Sequence, residues 1–134
     1  HKDSLPWEPL KVLVVEDDNM NQILYRKMLS KAHLLDIAKD GKVALACVET
    51  QLKEDNYHLV LMDINLPPPW DGISLMKEIR KRWPIYKDIP FIAQTAYAIS
   101  GNRKVMMDEG FDDYITKPII KSTLIESVKS VINK

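Results

Sequence analysis

Residues 59–72 read LVLMDINLPPPWDG: four apolar residues, one aspartate, and a loop with three consecutive prolines that closes on Asp71-Gly72. So short an apolar run, stopped by a carboxylate and turn residues, predicts a buried strand. Why such a strand should end in Asp63 is the question the rest of the chain answers. Four further runs share its character: KVLVVE (11–16), LLDIA (34–38), PFIAQT (90–95) and DDYITK (112–117). Each carries β-branched residues, which favour a strand over a short helix. Between and after them lie stretches with helical spacing: NMNQILYRKMLS (19–30), GKVALACVETQLK (41–53), GISLMKEIRKRW (72–83), ISGNRKVMMDEG (99–110) and KSTLIESVKSVINK (121–134). In the first of these, Met20, Ile23, Leu24 and Met28 are expected on one apolar face, and Gly110 falls where a left-handed helix C-cap belongs. Five strands alternating with five helices, the strands apolar enough to be covered on both faces, predict an α/β fold. It is a doubly wound five-stranded parallel sheet flanked by five helices, with right-handed crossovers.

At 134 residues and 46% hydrophobic content the chain has room for one core. Residues 1–9 read as linker and 10–134 as the domain; the start at His1 without a methionine leads us to expect a piece of a longer protein. Nineteen Lys and Arg balance nineteen Asp and Glu, which excludes binding to nucleic acid or an anionic membrane through bulk charge. The RKRW stretch at 80–83 is too short a basic patch to change that and is expected to be a solvated helix end with a buried tryptophan. The single cysteine, Cys47, has no internal disulfide partner and is expected on the apolar side of its helix beside Leu45, Val48 and Leu52. A reducing, cytoplasmic setting follows as the expectation. No stretch reaches the roughly 18 to 20 apolar residues that span a bilayer, so no membrane contact is expected. His33 and His58 have no partner at metal-ligand spacing.

Parallel α/β sheets bind ligands outside the carboxyl ends of their strands, and here those ends are polar: Glu16-Asp17-Asp18 after the first, Asp63 after the third, Thr95 after the fourth, Lys117-Pro118 after the fifth. A lone acid after a strand is ordinarily a helix N-cap, and Asp18 is read as one. The combination carries more than its members. Three carboxylates at one edge repel one another unless something positive sits among them. A hard divalent cation, Mg2+ or Mn2+, accepts such oxygens and leaves positions for a phosphate oxygen. Lys117 adds a compact positive charge and Thr95 a hydroxyl donor without charge. The set describes phosphoryl transfer with Asp63 as nucleophile.

VLVVEDDNMN (12–21), LVLMDINLP (59–67), FIAQTAYA (91–98) and EGFDDYITKPI (109–119) occur in that order. With them the chain resembles the response-regulator receiver domain over residues 11–133, most closely the receivers attached to hybrid histidine kinases. The resemblance implies a flavodoxin-like (βα)5 sheet of order 2-1-3-4-5. It also implies that Asp63 takes phosphate from a histidine kinase or histidine phosphotransfer domain. Asp17, Asp63 and the Asn65 carbonyl would hold Mg2+, with Glu16 helping through water, and Thr95 and Lys117 would touch the phosphoryl group. Thr95 and Tyr114 would form the switch, Asn65 and Tyr97 would govern the lifetime of the phosphorylated state, and the donor would dock on Met20, Ile23 and Ile119.

In that family Asp-Gly follows the phosphoacceptor by seven and eight residues, whereas Asp71 and Gly72 follow Asp63 by eight and nine. The added residue lies in Pro68-Pro69-Trp70, read as a stiff surface bulge with a partner contact through Trp70 as the alternative. Two rival functions are weighed. A haloacid-dehalogenase-like phosphatase needs a second acid two residues past the nucleophile, where Asn65 stands. A degenerate receiver used only for docking or dimerisation has the loop insertion as its support.

Overall fold

The structure is a computed structural model and describes residues 9–52, 55–96 and 102–132. Strands and helices alternate as β1 (Lys11–Val15), α1 (Asn19–Met28), β2 (Leu34–Ala38), α2 (Gly41–Gln51), β3 (Leu59–Asp63), α3 (Gly72–Arg82), β4 (Phe91–Thr95), α4 (Asn102–Glu109), β5 (Asp113–Thr116) and α5 (Lys121–Ile132), with one 3-10 turn at Pro84–Lys87. The strands pair in parallel in the order β2-β1-β3-β4-β5, the order implied by the family resemblance. In the register, Val15 lies beside Ala38 and Met62, Asp63 beside Gln94, and Thr95 beside Thr116. The strand ends are therefore level, and the residues at them share one edge.

Alternation along each strand divides the core into two layers. Leu13, Val15, Val60, Met62, Phe91 and Ala93 pack under α2, α3 and α4 through Val48, Leu75, Ile79 and Met106. Val12, Val14, Leu59, Leu61 and Ile92 face α1 and α5 through Tyr25, Leu29, Leu124 and Val128. Asp18, Asp40 and Asp71 cap α1, α2 and α3, each side chain accepting a backbone N–H three residues on. Gly110 ends α4 at φ 121°, the left-handed cap expected there.

Several local readings change. In α1 the burying residue is Tyr25, joined by the C-cap Leu29 with Met28 packed against them, while Met20, Ile23 and Leu24 are 67%, 47% and 38% exposed. The large ring at Tyr25 sets the buried stripe, and the aliphatic set at 20, 23 and 24 is turned out. Leu52 is exposed, whereas Cys47 and Leu45 pack against the core. Ile119 is buried at 8% and Ile120, at 59%, is the exposed neighbour. Arg80 is no solvated helix end. It donates to the carbonyls of Tyr86 (2.9 Å), Ile89 (2.9 Å) and Gly110 (2.6 Å), pairs with Asp112 at 3.1 Å and lies 4.5 Å from the Phe91 ring centre. Trp83 beside it is half-buried.

The inserted loop closes onto the fold. Trp70 is half-buried against the core, so close to α2 that a Cβ on Gly41 would stand 2.5 Å from its own Cβ. The Pro68-Pro69 peptide is cis.

Candidate functional site

Asp63 ends β3 and is 1% exposed. A carboxylate buried to that degree needs partners. Its Oδ2 accepts from Lys117 Nζ at 3.0 Å and its Oδ1 from the Asn65 backbone N–H at 2.9 Å. Lys117 follows β5, and its Nζ is also 3.2 Å from Glu16 Oε1. Glu16 follows β1 and is fully buried; its Oε2 accepts from the Asp18 N–H at 3.0 Å and its Oε1 from Gln94 Nε2 at 3.2 Å. Asp17 beside it faces solvent. Glu16, Asp17 and Asp63 each bring a carboxylate oxygen within 4.8 Å of the others. The structure thus brings Glu16, Asp17, Asp63 and Lys117 together at the sheet edge.

The helices that follow the strands hold this edge in place. Gln22 of α1 donates to the Glu16 carbonyl at 2.7 Å. At the other side Gly72, the first residue of α3, donates its N–H to the Ile64 carbonyl at 3.0 Å. A Cβ there would lie 2.2 Å from the Asp63 carbonyl oxygen. Only a residue without a side chain lets α3 begin this close to the aspartate, which explains the Asp-Gly that closes the loop.

Burial pushes the Glu16 carboxyl up to about 7, with Asp63 adding to the rise and the Asp18 N–H and Lys117 opposing it. For Lys117, burial works to lower the pKa, but its bonds to Asp63 and Glu16 outweigh this and raise it above the ordinary 10.5. The ammonium is charged at neutral pH. Glu16, Asp17 and Asp63 together form an oxygen-only donor set around one monocation, open to solvent at Asp17, which suits a hard divalent ion.

Thr95 ends β4 at 5% exposure, and its Oγ1 is 3.5 Å from Asn65 Oδ1, at the limit of a hydrogen bond. Tyr114 in β5 is half-buried against the core, its hydroxyl 3.4 Å from Asn102 Nδ2 of α4. Tyr97 lies outside the described residues. The Lys117-Pro118 peptide is cis. Among the described residues no helix is long and apolar enough to cross a membrane.

One site residue escaped the sequence reading. Gln94 is fully buried in β4 and joins Glu16 to Tyr25, whose hydroxyl donates to the Gln94 side-chain oxygen. Its signal was an amide in an otherwise apolar run.

A 2-1-3-4-5 parallel sheet that gathers two acids after β1, an aspartate at the end of β3, a threonine at the end of β4 and a lysine after β5 defines a receiver domain. The model of the response regulator receiver domain matches residues 12–129, and the chain belongs to that family. It is a phosphoacceptor signalling module of the two-component type. It is 39% identical over 130 residues to hybrid signal transduction histidine kinase I of Dictyostelium discoideum and 34% identical over 129 residues to the aerobic respiration control sensor protein ArcB of Escherichia coli K12. These alignments cover 94% and 96% of this chain but only 7% and 16% of those proteins. Among solved structures, the receiver domain of a sensor histidine kinase from Pseudomonas aeruginosa PAO1 superposes with a TM-score of 0.77 at 31% identity, over 94% of this chain and 99% of that one. That structure has a magnesium ion coordinated in its active site cleft. The receiver domain of the Francisella response regulator 1452 gives 0.74 at 33%, over 92% and 97%.

Proposed function

We propose that Asp63 accepts a phosphoryl group from a phosphohistidine on a histidine kinase or histidine phosphotransfer domain, in a reaction that requires Mg2+ (or Mn2+). The observation that carries this reading is the buried Asp63 carboxylate held 3.0 Å from Lys117 with two further carboxylates at hand. An Asp63 oxygen attacks phosphorus, the phosphorus–nitrogen bond breaks, and the donor imidazole leaves with the bonding pair and takes up a proton. Asp17, Asp63 and the Asn65 carbonyl would hold the ion, with Glu16 helping through water, and a divalent ion there would offset the negative charge of the phosphoryl oxygens. Lys117 faces the same oxygens from the β5 side and need only shift between carboxylate and phosphoryl acceptors.

Once phosphate is in place the Thr95 hydroxyl turns toward it and Tyr114 repacks, biasing the α4–β5 face. The Asn65 amide orients water for hydrolysis, while Tyr97, two residues past Thr95, shields the phosphoryl group. A helical histidine-bearing donor docks on the exposed Met20, Ile23 and Leu24 of α1, with Ile120 in the place first assigned to Ile119. The unit runs over 10–134 with 1–9 as linker and works in the cytoplasm. In the test, protein is mixed with a small acyl phosphate and weighed intact. A gain of one phosphate is expected in Mg2+ and none in chelator; no gain in Mg2+ from folded protein overturns the proposal.

A further inference from the structure

Gln94 and Tyr25 place a buried polar pair in a layer otherwise made of Val14, Leu61, Ile92 and Leu124. An amide and a phenol held away from water cost stability unless each is hydrogen-bonded, so what they bond to shows what they do. The Tyr25 hydroxyl donates to the Gln94 side-chain oxygen. A glutamine whose oxygen is taken in this way has only its NH2 to offer the other side, and Nε2 donates to Glu16 Oε1 at 3.2 Å. In this arrangement the amide turns its NH2, not its oxygen, toward the Glu16 side chain. Burial, with Glu16 and Asp63 adding to it, holds the Tyr25 phenol well above its ordinary pKa, so it remains a donor.

Glu16 is thus gripped from three directions: by Gln94 and Lys117 at Oε1, and by the Asp18 N–H at Oε2. Helix α1 acts on it twice, through Gln22 on the main-chain carbonyl and through Tyr25 and Gln94 on the side chain.

We infer that Gln94, oriented by Tyr25, is a positioning residue for the divalent-ion site, holding the Glu16 carboxylate in the one orientation that serves the ion and so setting how tightly it is held. Groups that orient a metal site's carboxylates from behind typically change affinity ten- to a hundredfold when lost. The inference rests on the proposed Mg2+ site at Asp63. It also makes α1 a mechanical link, since the helix that anchors Glu16 is the one whose Met20, Ile23 and Leu24 face solvent.

The test titrates Mg2+ alone into wild type, Gln94→Met, Tyr25→Phe and the double variant, reading Kd from amide shifts around Asp63 and Lys117, with thermal melts as a check on folding. Gln94→Met keeps the length and flexibility of the side chain without its amide and is expected to weaken Mg2+ binding by about tenfold or more. Tyr25→Phe should weaken it less. The double variant should be no weaker than Gln94→Met, because Tyr25 acts through Gln94. A pair that merely fills the core would lower the melting temperature and leave Kd where it was, which overturns the inference, as do additive losses of affinity. Should Gln94→Met fail to fold, Tyr25→Phe, which removes one hydroxyl, decides: an unchanged Kd in that folded variant is refutation. Wild type that binds no Mg2+ removes the reading of the site and this inference with it; wild type that binds Mg2+ with variants equal to it removes this inference alone.

Discussion

Gly72→Ala tests how closely the phosphoacceptor strand and α3 are joined. The new methyl would lie 2.2 Å from the Asp63 carbonyl oxygen and 2.8 Å from Ile64 Cα, both backbone atoms. Carbon and oxygen settle at about 3.3 Å or more, so the start of α3 must move by about 1 Å. Overpacking against unyielding atoms costs about 1–3 kcal/mol. The bond from the Gly72 N–H to the Ile64 carbonyl, 3.0 Å long, is stretched in the same movement, a loss of about 1 kcal/mol. Against these stands a gain of about 0.4–1 kcal/mol from a stiffer unfolded chain. The balance is a loss of about 1–3.6 kcal/mol with a middle value near 2, which for a domain of this size lowers Tm by about 10 °C. Thermal unfolding followed by circular dichroism gives the first number, and phosphate incorporation from a small acyl phosphate should fall as well, because the carbonyl that is crowded belongs to Asp63 itself. A Tm within about 1 °C of wild type together with an unchanged labelling rate would refute the close junction.

Trp70→Ala should cost about 2 kcal/mol, less than a fully buried tryptophan, yet leave labelling unchanged, since the ring packs against α2 at Gly41; loss of labelling with stability intact would instead make the loop part of the site. Burial works to raise the Asp113 pKa, but bonds from Ser127, the Tyr114 N–H and Arg103 outweigh it and hold it below 3.8. A depressed carboxylate stabilises the fold above its unfolded pKa and loses that contribution as pH falls through the folded one. Ser127→Ala should therefore be less stable than wild type near neutral pH, with the gap closing in acid below pH 3.8, and a gap independent of pH in urea melts would contradict this. Tyr97→Ala should hasten loss of the phosphorylated mass peak by roughly tenfold and Asn65→Ala should slow it modestly; unchanged or slower decay in Tyr97→Ala removes the shielding argument.

The fold was readable because each strand is a short apolar run ended by polar or turn residues, so its start and its end show in a few letters; β1, β3 and β4 are buried as their runs suggest, whereas the edge strands β2 and β5 are only part-buried. The principal site residues were readable for a related reason: in a parallel sheet the residue after each strand goes to the same edge, and Glu16, Asp63, Thr95 and Lys117 are each at or next to such an end. What sequence order hides is the partner. Gln94 looks like an intrusion in PFIAQT until Tyr25, 69 positions away, is seen to meet it. Arg80 looks like part of a surface patch because the carbonyls of Tyr86, Ile89 and Gly110 that hold it leave no mark in the sequence. In α1 the aliphatic residues outweighed Tyr25 in the periodicity, although the ring with its buried acceptor is what turns inward.

The central claim is that phosphate resides on Asp63, and an acyl phosphate can be located chemically, because borohydride reduces it to an alcohol while an ordinary carboxylate is left alone. Wild-type protein and Asp63→Asn are phosphorylated in Mg2+, treated with borohydride, digested and sequenced by mass spectrometry. The account predicts one reduced position, Asp63, in wild type and none in the variant. Reduction at Asp17 or any other residue in wild type, or phosphate incorporation at the wild-type rate in Asp63→Asn, would contradict it.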